Sequence, residues 1–588
     1  MGSNPTTSAH SPVFRYWAFS YSNNHARIGE PKGYKMSKSL KNYVNAEKQA
    51  RTATPQTKRT PGRTDEVKNN AGGYVFKVND QARLERFLIL GTDGATYYVN
   101  SKTQVKDNIA FLRNMIAKDE ATVLKTIVEV SDEGRAYSNS PAIFALAVLL
   151  SEGENKAAAR EAVNKVVRTG THLFEFADYL DGLGGWGRAK RKAIADWYTG
   201  KDAGALAYQA VKYRQRNGWT HRDLFRKAHP QGVDRVVGDF ILGKPEDADN
   251  YGKVSIIDGF REAQKAGTVK ETLRGLEVYK NLPWEALKTE HLTDVKVWKT
   301  LFYNGQLNGQ ALIRNITRLA KLGAFKDMQF AADYAARLTD EEMIRKTRLH
   351  PINFLNAIVV YTEGQVPRGS TGGYYYSRQK DWVTESVILD ALNKGFYTAF
   401  KTIEPAGKRT MLAIDVSGSM SSPALGLDLS CAQVSAAMAM TVARTEPAHI
   451  IRGFTSGSNG YSWRGATKLT DLDISAGTEL STAMKKVQKS NFGGTDCALP
   501  MTWATDNNVE VDTFVVITDN ETYAGSIKPA QALVKYRKAT GIDARLAVLG
   551  VAASPFTIAD PNDKGMMDFV GFDSNAPRVL ADFSAGRI

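Results

Sequence analysis

From about Gly73 to Pro405 the apolar positions recur at the three-to-four spacing of amphipathic helices, and strand-like alternation is scarce. Residues 155–168 set Ala158, Ala159, Ala162, Val163, Val166 and Val167 on one stripe with polar residues opposite. Pro141 opens another run, Ala142 to Leu150. Turns marked by Gly, Asn or Pro separate such runs, at Gly182–Gly185, Asn217-Gly218, Asn281–Pro283 and Arg348–Pro351. Successive short helix pairs predict an α-solenoid, although no repeat is strict enough to count. At Lys408 the period changes. Arg409–Asp415, His449–Phe454, Asp512–Thr518 and Ala544–Val551 read as buried strands. Between them Leu429–Arg444, Gly477–Val487, Ala498–Ala504 and Lys528–Thr540 read as helices. That alternation predicts a parallel, doubly wound sheet with helices on both faces.

A chain of 588 residues exceeds one ordinary core. The pattern divides it into a disordered basic N-terminal extension (1–72), a helical domain (73–403) and an α/β domain (404–588). Residues 45–73 read as a disordered basic arm. Lys35-Met36-Ser37-Lys38-Ser39 spells the nucleotide-loop signature of class I aminoacyl-tRNA synthetases. No Rossmann-type nucleotide-binding half precedes it, so the match is read as coincidence, and Met36 is a candidate initiator. No apolar run reaches the ~18 residues that span a bilayer. Met1–His10 lacks the pattern of a secretory signal. With only Cys431 and Cys497 there is no disulfide framework, and a reducing, cytoplasmic location is expected.

Charge adds what the pattern does not. Of a formal net +15, residues 404–588 hold 17 Lys/Arg against 19 Asp/Glu, so the first 403 residues carry 60 basic against 43 acidic. The basic excess lies wholly upstream of the α/β domain. Such segregation points to a polyanionic partner for the helical part, a nucleic acid above all.

The α/β domain carries its own candidate chemistry. In a parallel sheet, ligands bind beyond the carboxyl ends of strands. Asp415 ends the first strand, with Ser417 and Ser419 on the loop after it. Asp519 follows the strand Asp512–Thr518, and Thr495 lies on the loop Gly493-Gly494-Thr495-Asp496. Two carboxylates and three hydroxyls, with no His or Cys, form the oxygen-only set that a hard cation such as Mg²⁺ prefers. The pattern resembles the metal-ion-dependent adhesion site of integrin-type von Willebrand factor A domains. By that resemblance Ser417, Ser419 and Thr495 bind the ion directly, and Asp415 and Asp519 through water. No nucleophile–base pair accompanies them, so no enzymatic activity is expected.

In the helical domain the basic candidates cluster. Trp186, Ala189, Ala193 and Trp197 mark an inward stripe, while Arg188, Arg191 and Lys192 share another face. In the next helix Leu206, Ala207, Ala210 and Val211 point inward, and Tyr208, Lys212 and Arg216 are expected on the exposed face at spacing four. Asn217-Gly218 is expected to end that helix. Thr220 then caps a short helix with Asp223 three residues on, carrying Arg222, Arg226 and Lys227 and closed by His229-Pro230. Cations interleaved with rings suit RNA. Spacing alone leaves a plain solvated face open, and Trp186, Trp197 and Trp219 are expected in the core rather than as stacking platforms.

Several stretches together resemble the Ro ribonucleoprotein family. They are Arg86–Leu90 with Gly91–Tyr98, Trp186-Gly187-Arg188 through Lys192–Tyr198, Lys212–Trp219, Glu404–Arg409, Gly493–Cys497, Thr518–Thr522 and Phe556–Pro561. The resemblance runs from about Gly73 to the end. It implies a TROVE module, a ring of HEAT-like helix pairs, closed by a von Willebrand factor A-like domain, in a monomer. It also implies Y or Y-like RNA on the outer basic surface. Single-stranded 3′ ends of misfolded RNAs would thread the central hole, and an exoribonuclease is a possible partner. The family's Lys, Arg and His contacts to Y RNA carry over to Lys212, Arg216 and His229. The Gly- and Tyr-rich linker Glu363–Ser377 and the basic arm depart from the family pattern. A metal-dependent protein–protein adhesion scaffold is the alternative of a different class.

Overall fold

The computed structural model describes residues 53–91, 101–245, 249, 251–364, 380–400, 404–424, 427, 429–456, 467–488 and 494–588. The Lys35–Ser39 signature, Met36, residues 1–52 of the extension (with residues 45–52 of the arm), Thr92–Tyr98, residues 365–377 of the linker and Gly493 lie outside them.

Residues 53–72 contradict the expected disordered arm. Strands β1 (Glu66–Lys68) and β2 (Tyr74–Lys77) pair antiparallel, and β2 pairs on its other side with a short strand at Phe556–Thr557. The Lys528 ammonium meets the Glu66 carboxylate at 2.8 Å, both nearly fully buried. Arg63 reaches Asp560 at 2.8 Å, and the Thr54 N–H donates to Gln531 Oε1 at 2.9 Å. These polar residues find their partners more than 400 positions away. A periodic local signal was therefore never there to read.

Helices follow from Asp80–Leu90 to Ser386–Thr398. Ser140–Glu152 starts with Pro141 in its first turn, where a missing N–H costs nothing, and buries Ala142, Ile143 and Ala145–Leu150. A helix apolar on every side belongs inside, and it packs between Ser101–Asp132 and Gly170–Gly182. The stripe over 155–168 is split into Lys156–Glu161 and Val163–Val166, with Ala159, Ala162, Val163, Val166 and Val167 buried as expected. One short hairpin interrupts the helices, β3 (Gln215–Arg216) with β4 (Trp219–Thr220). Here the helical reading was wrong. The helix Ala203–Lys212 stops at Lys212, and Asn217-Gly218 turns the hairpin with both residues at positive φ (53° and 77°).

The far end of the helical module returns to its beginning. Arg348 donates to the carbonyl and the carboxylate of Asp132, each at 2.7 Å, and His350 Nε2 lies 3.2 Å from the Arg135 carbonyl. The α/β domain then touches both ends. Arg86 from the first helix forms a bidentate pair with Asp568, and Arg135 binds Asp573. At the other end the Arg444 guanidinium sits 4.1 Å from the Tyr397 ring.

That domain is built on β5 (Thr410–Asp415), β6 (His449–Ser456), β7 (Thr467–Asp471), β8 (Thr513–Thr518), β9 (Arg545–Gly550), β10 (Phe556–Thr557) and β11 (Met566–Val570). All but β10 form one sheet in the order β11-β9-β8-β5-β6-β7, parallel except for the β6–β7 pair. The four strands read from the sequence are the central ones, and β5 and β8 are buried throughout. The two edge strands escaped it, because a partly solvated edge needs no continuous apolar run.

Candidate metal site and nucleic-acid face

Chain order reverses between β5 and β8, and the candidate residues gather at the carboxyl ends of these strands, where parallel sheets bind their ligands. Asp415 is fully buried there; its Oδ1 accepts from the Ser417 N–H at 2.9 Å and its Oδ2 from Thr518 Oγ1 at 2.6 Å. Ser417 and Ser419 place their hydroxyls 3.2 Å apart. Asp519 accepts from the Glu521 N–H at 3.0 Å. Burial raises the pKa of both carboxyls, and for Asp415 the neighbouring Asp519 charge adds to it. Thr495 Oγ1 is buried without a hydrogen-bond partner. Among the described residues no three His, Cys, Asp or Glu side chains gather as a ligand cluster, so a cation here would need the hydroxyls as its remaining donors. Two buried acids, an unsatisfied hydroxyl and an all-oxygen donor set fit a small hard cation.

The strap 53–77 buttresses this site, which nothing in the local sequence indicated. Gln56, fully buried, donates to Asp496 Oδ1 at 2.7 Å and accepts from Thr522 Oγ1 at 2.5 Å. Asn70 Nδ2 and the Ala71 N–H hold the Glu521 carboxylate at 2.6 and 2.9 Å. Burial, then the Asp519 charge, pushes Glu521 up to about 7. Gly73 lies so close to the Thr522 carbonyl that a Cβ would come within 1.8 Å of it, which excludes any side chain.

The basic face is formed by Arg188–Thr199, the β3–β4 hairpin and His221–Ala228. Thr220 and Asp223 form the expected capping box, and His229 closes the helix in the left-handed conformation (φ 49°), exposed. Arg188, Arg191, Lys192, Arg216, Arg222 and Arg226 are exposed, and none meets a carboxylate among the described residues. Lys212 departs from expectation. Its side chain is only 15% exposed, with the ammonium 3.2 Å from the Tyr208 hydroxyl and 3.9 Å from Glu285. The Tyr208 and Tyr213 rings flank it. Helix geometry had put Arg216 beside it on one face, whereas Arg216 stands on β3. Trp197 is core, its Nε1 donating to the Val167 carbonyl, but Trp186 and Trp219 are only half-buried.

A helical ring closed by a von Willebrand factor A domain with a cluster of oxygen donors defines a class of two-module proteins, and the comparisons place the chain within it. The TROVE domain family model matches residues 67–246 and 274–367, and the Ro60 vWA domain model matches residues 409–584. The chain belongs to the Ro60 family. It is 37% identical over 549 residues to the RNA-binding protein RO60 of Deinococcus radiodurans, covering 91% of this chain and 98% of that one. It is 33% identical to the RNA-binding protein RO60 of Caenorhabditis elegans, covering 91% and 93%. The crystal structure of the Deinococcus radiodurans RO (RSR) protein superposes with a TM-score of 0.62 at 35% identity, over 87% of this chain and all of that one. The relatives are named as RNA-binding proteins, not as enzymes.

Proposed function

We propose that this chain binds small structured RNAs of the Y or Y-like type on its outer basic face and admits single-stranded 3′ ends of misfolded RNAs to the ring's centre. It would thereby serve RNA quality control, maturation or decay beside an exoribonuclease. The observation that carries the reading is the set of exposed cations, Arg188, Arg191, Lys192, Arg216, Arg222 and Arg226, that meet no carboxylate among the described residues. Exposed cations that have no carboxylate partner within the fold suit phosphates. Arg216 and His229 are the direct contacts; Lys212, held between two tyrosines, supplies its charge from behind them. Sequencing of co-purifying RNA identifies the ligand. Lys212→Glu/Arg216→Glu is expected to abolish Y-like RNA association, and normal binding by that variant would refute the assignment.

Asp415, Ser417, Ser419, Thr495 and Asp519 would hold a Mg²⁺ ion, whose open position supplies a docking point for a partner's carboxylate. The unsatisfied Thr495 hydroxyl favours this second reading, a metal-dependent protein–protein contact. It would accompany RNA binding as an accessory role.

A further inference from the structure

Trp186 and Trp219, unlike Trp197 and Trp298, are not fully buried. Their rings lie 5.6 Å apart, tilted by 60°, and both are only partly buried. The Lys227 ammonium lies 4.7 Å from the Trp186 ring and 5.6 Å from that of Trp219. The pair is held firmly. Trp186 Nε1 donates to Asp181 at 2.6 Å, and Arg191 Nε donates to the Trp186 carbonyl at 2.9 Å. Lys190, buried, ties the loop together through the carbonyls of Leu180 and Gly184. Around the loop there is room: a Cβ added at Gly184, Gly185 or Gly187 would meet nothing within 4 Å.

The hairpin connects this pair to the basic face. Arg216 and Trp219 are direct cross-strand partners, so their side chains leave the ribbon on the same side. A phosphate on Arg216 therefore brings the neighbouring base within reach of Trp219. Arg188, Arg191 and Lys192 are exposed on the helix that follows Trp186, and Arg222 and Arg226 on the helix that follows Trp219. Fixed, partly exposed rings among exposed cations are the arrangement by which proteins stack unpaired bases without reading their identity.

We infer that the Trp186–Trp219 pair is a stacking subsite for an unpaired nucleobase of the RNA held on this face. The subsite rests on the RNA-binding reading above and assigns to these two rings the contact with an unpaired nucleotide on the outer face.

The test uses the full chain with two probes, a short RNA hairpin carrying an unpaired three-nucleotide tail and the same hairpin with a blunt end. Trp186→Leu/Trp219→Leu is expected to weaken binding of the tailed RNA about tenfold and to leave the blunt RNA unchanged. Unchanged binding of both RNAs, or equal loss on both, overturns the subsite. Arg216→Glu separates the two levels: if it leaves both affinities intact, the RNA face itself is wrong. A measurement on unsubstituted protein guards against misfolding. With 5-iodouridine in the tail, photo-crosslinks are expected within residues 182–191 or 214–221, and crosslinks confined to other peptides overturn the proposal.

Discussion

Replacing Arg86 by Met removes the guanidinium that joins the first helix to the α/β domain. Arg86 is 1% exposed and donates to both oxygens of Asp568, at 2.6 and 2.7 Å, and to the carbonyls of Ser554 and Phe556, at 2.6 and 2.9 Å. Met fills similar volume, so the loss is chiefly electrostatic. Breaking a buried pair from one side costs about 3–5 kcal/mol, because a buried charge is left behind. Asp568 already titrates above its ordinary value through burial, with Arg86 holding it down. Without Arg86 it rises further. A group with a raised folded pKa loses stability as pH climbs through that value, so the defect of Arg86→Met is largest at pH 8 and shrinks towards pH 5. Denaturant titration at both pH values, with hydrogen exchange of Asp80–Leu90, reads it. Arg86→Met/Asp568→Leu removes both charges and is expected to recover most of the loss. A defect below about 1 kcal/mol, or one independent of pH, would refute the argument.

Burial depresses His221 and His350 to about 4, so each adds stability above pH 6.5 that is lost as pH falls towards 4, roughly 3 kcal/mol apiece. His221→Gln/His350→Gln should flatten the fall in melting temperature between pH 7 and 5, and an unchanged slope would contradict the cause. Asp415→Ala is expected to abolish Mg²⁺ binding in calorimetry while RNA affinity stays within about twofold; loss of both would mean that the metal holds the ring closed. Gln56→Ala leaves the buried Asp496 with one partner fewer, a loss of about 1–3 kcal/mol. It should weaken Mg²⁺ binding and raise hydrogen exchange at residues 495–498 and 519–523, and protected amides there would contradict the buttress.

What was legible from the sequence was what obeys a local rule. The central strands, the helix opened by Pro141, the Thr220 capping box and the Asp415, Ser417, Ser419 loop each follow from spacing within a few residues. Lys212 and Arg216 share a helical spacing but not a helix, because Asn217-Gly218 imposes a two-residue hairpin on the chain. The strap was hidden for another reason: Glu66 is satisfied by Lys528 and Gln56 by Asp496, partners that no window of sequence contains. Trp186 fits an inward stripe by count, yet it begins just before its helix and stays only partly buried beside Trp219.

On the proposed reading, the exposed cations of Arg188–Thr199, β3 and His221–Ala228, which meet no carboxylate among the described residues, contact RNA phosphates. The salt dependence of hairpin-RNA binding, measured from 50 to 200 mM for the natural chain and for Arg188→Gln/Arg216→Gln/Arg222→Gln, tests it directly. Each lost phosphate contact should reduce the slope of log K against log salt by about 1. A slope shallower by about 3, with affinity reduced at every salt concentration, is the result predicted; equal slopes and equal affinities would contradict it.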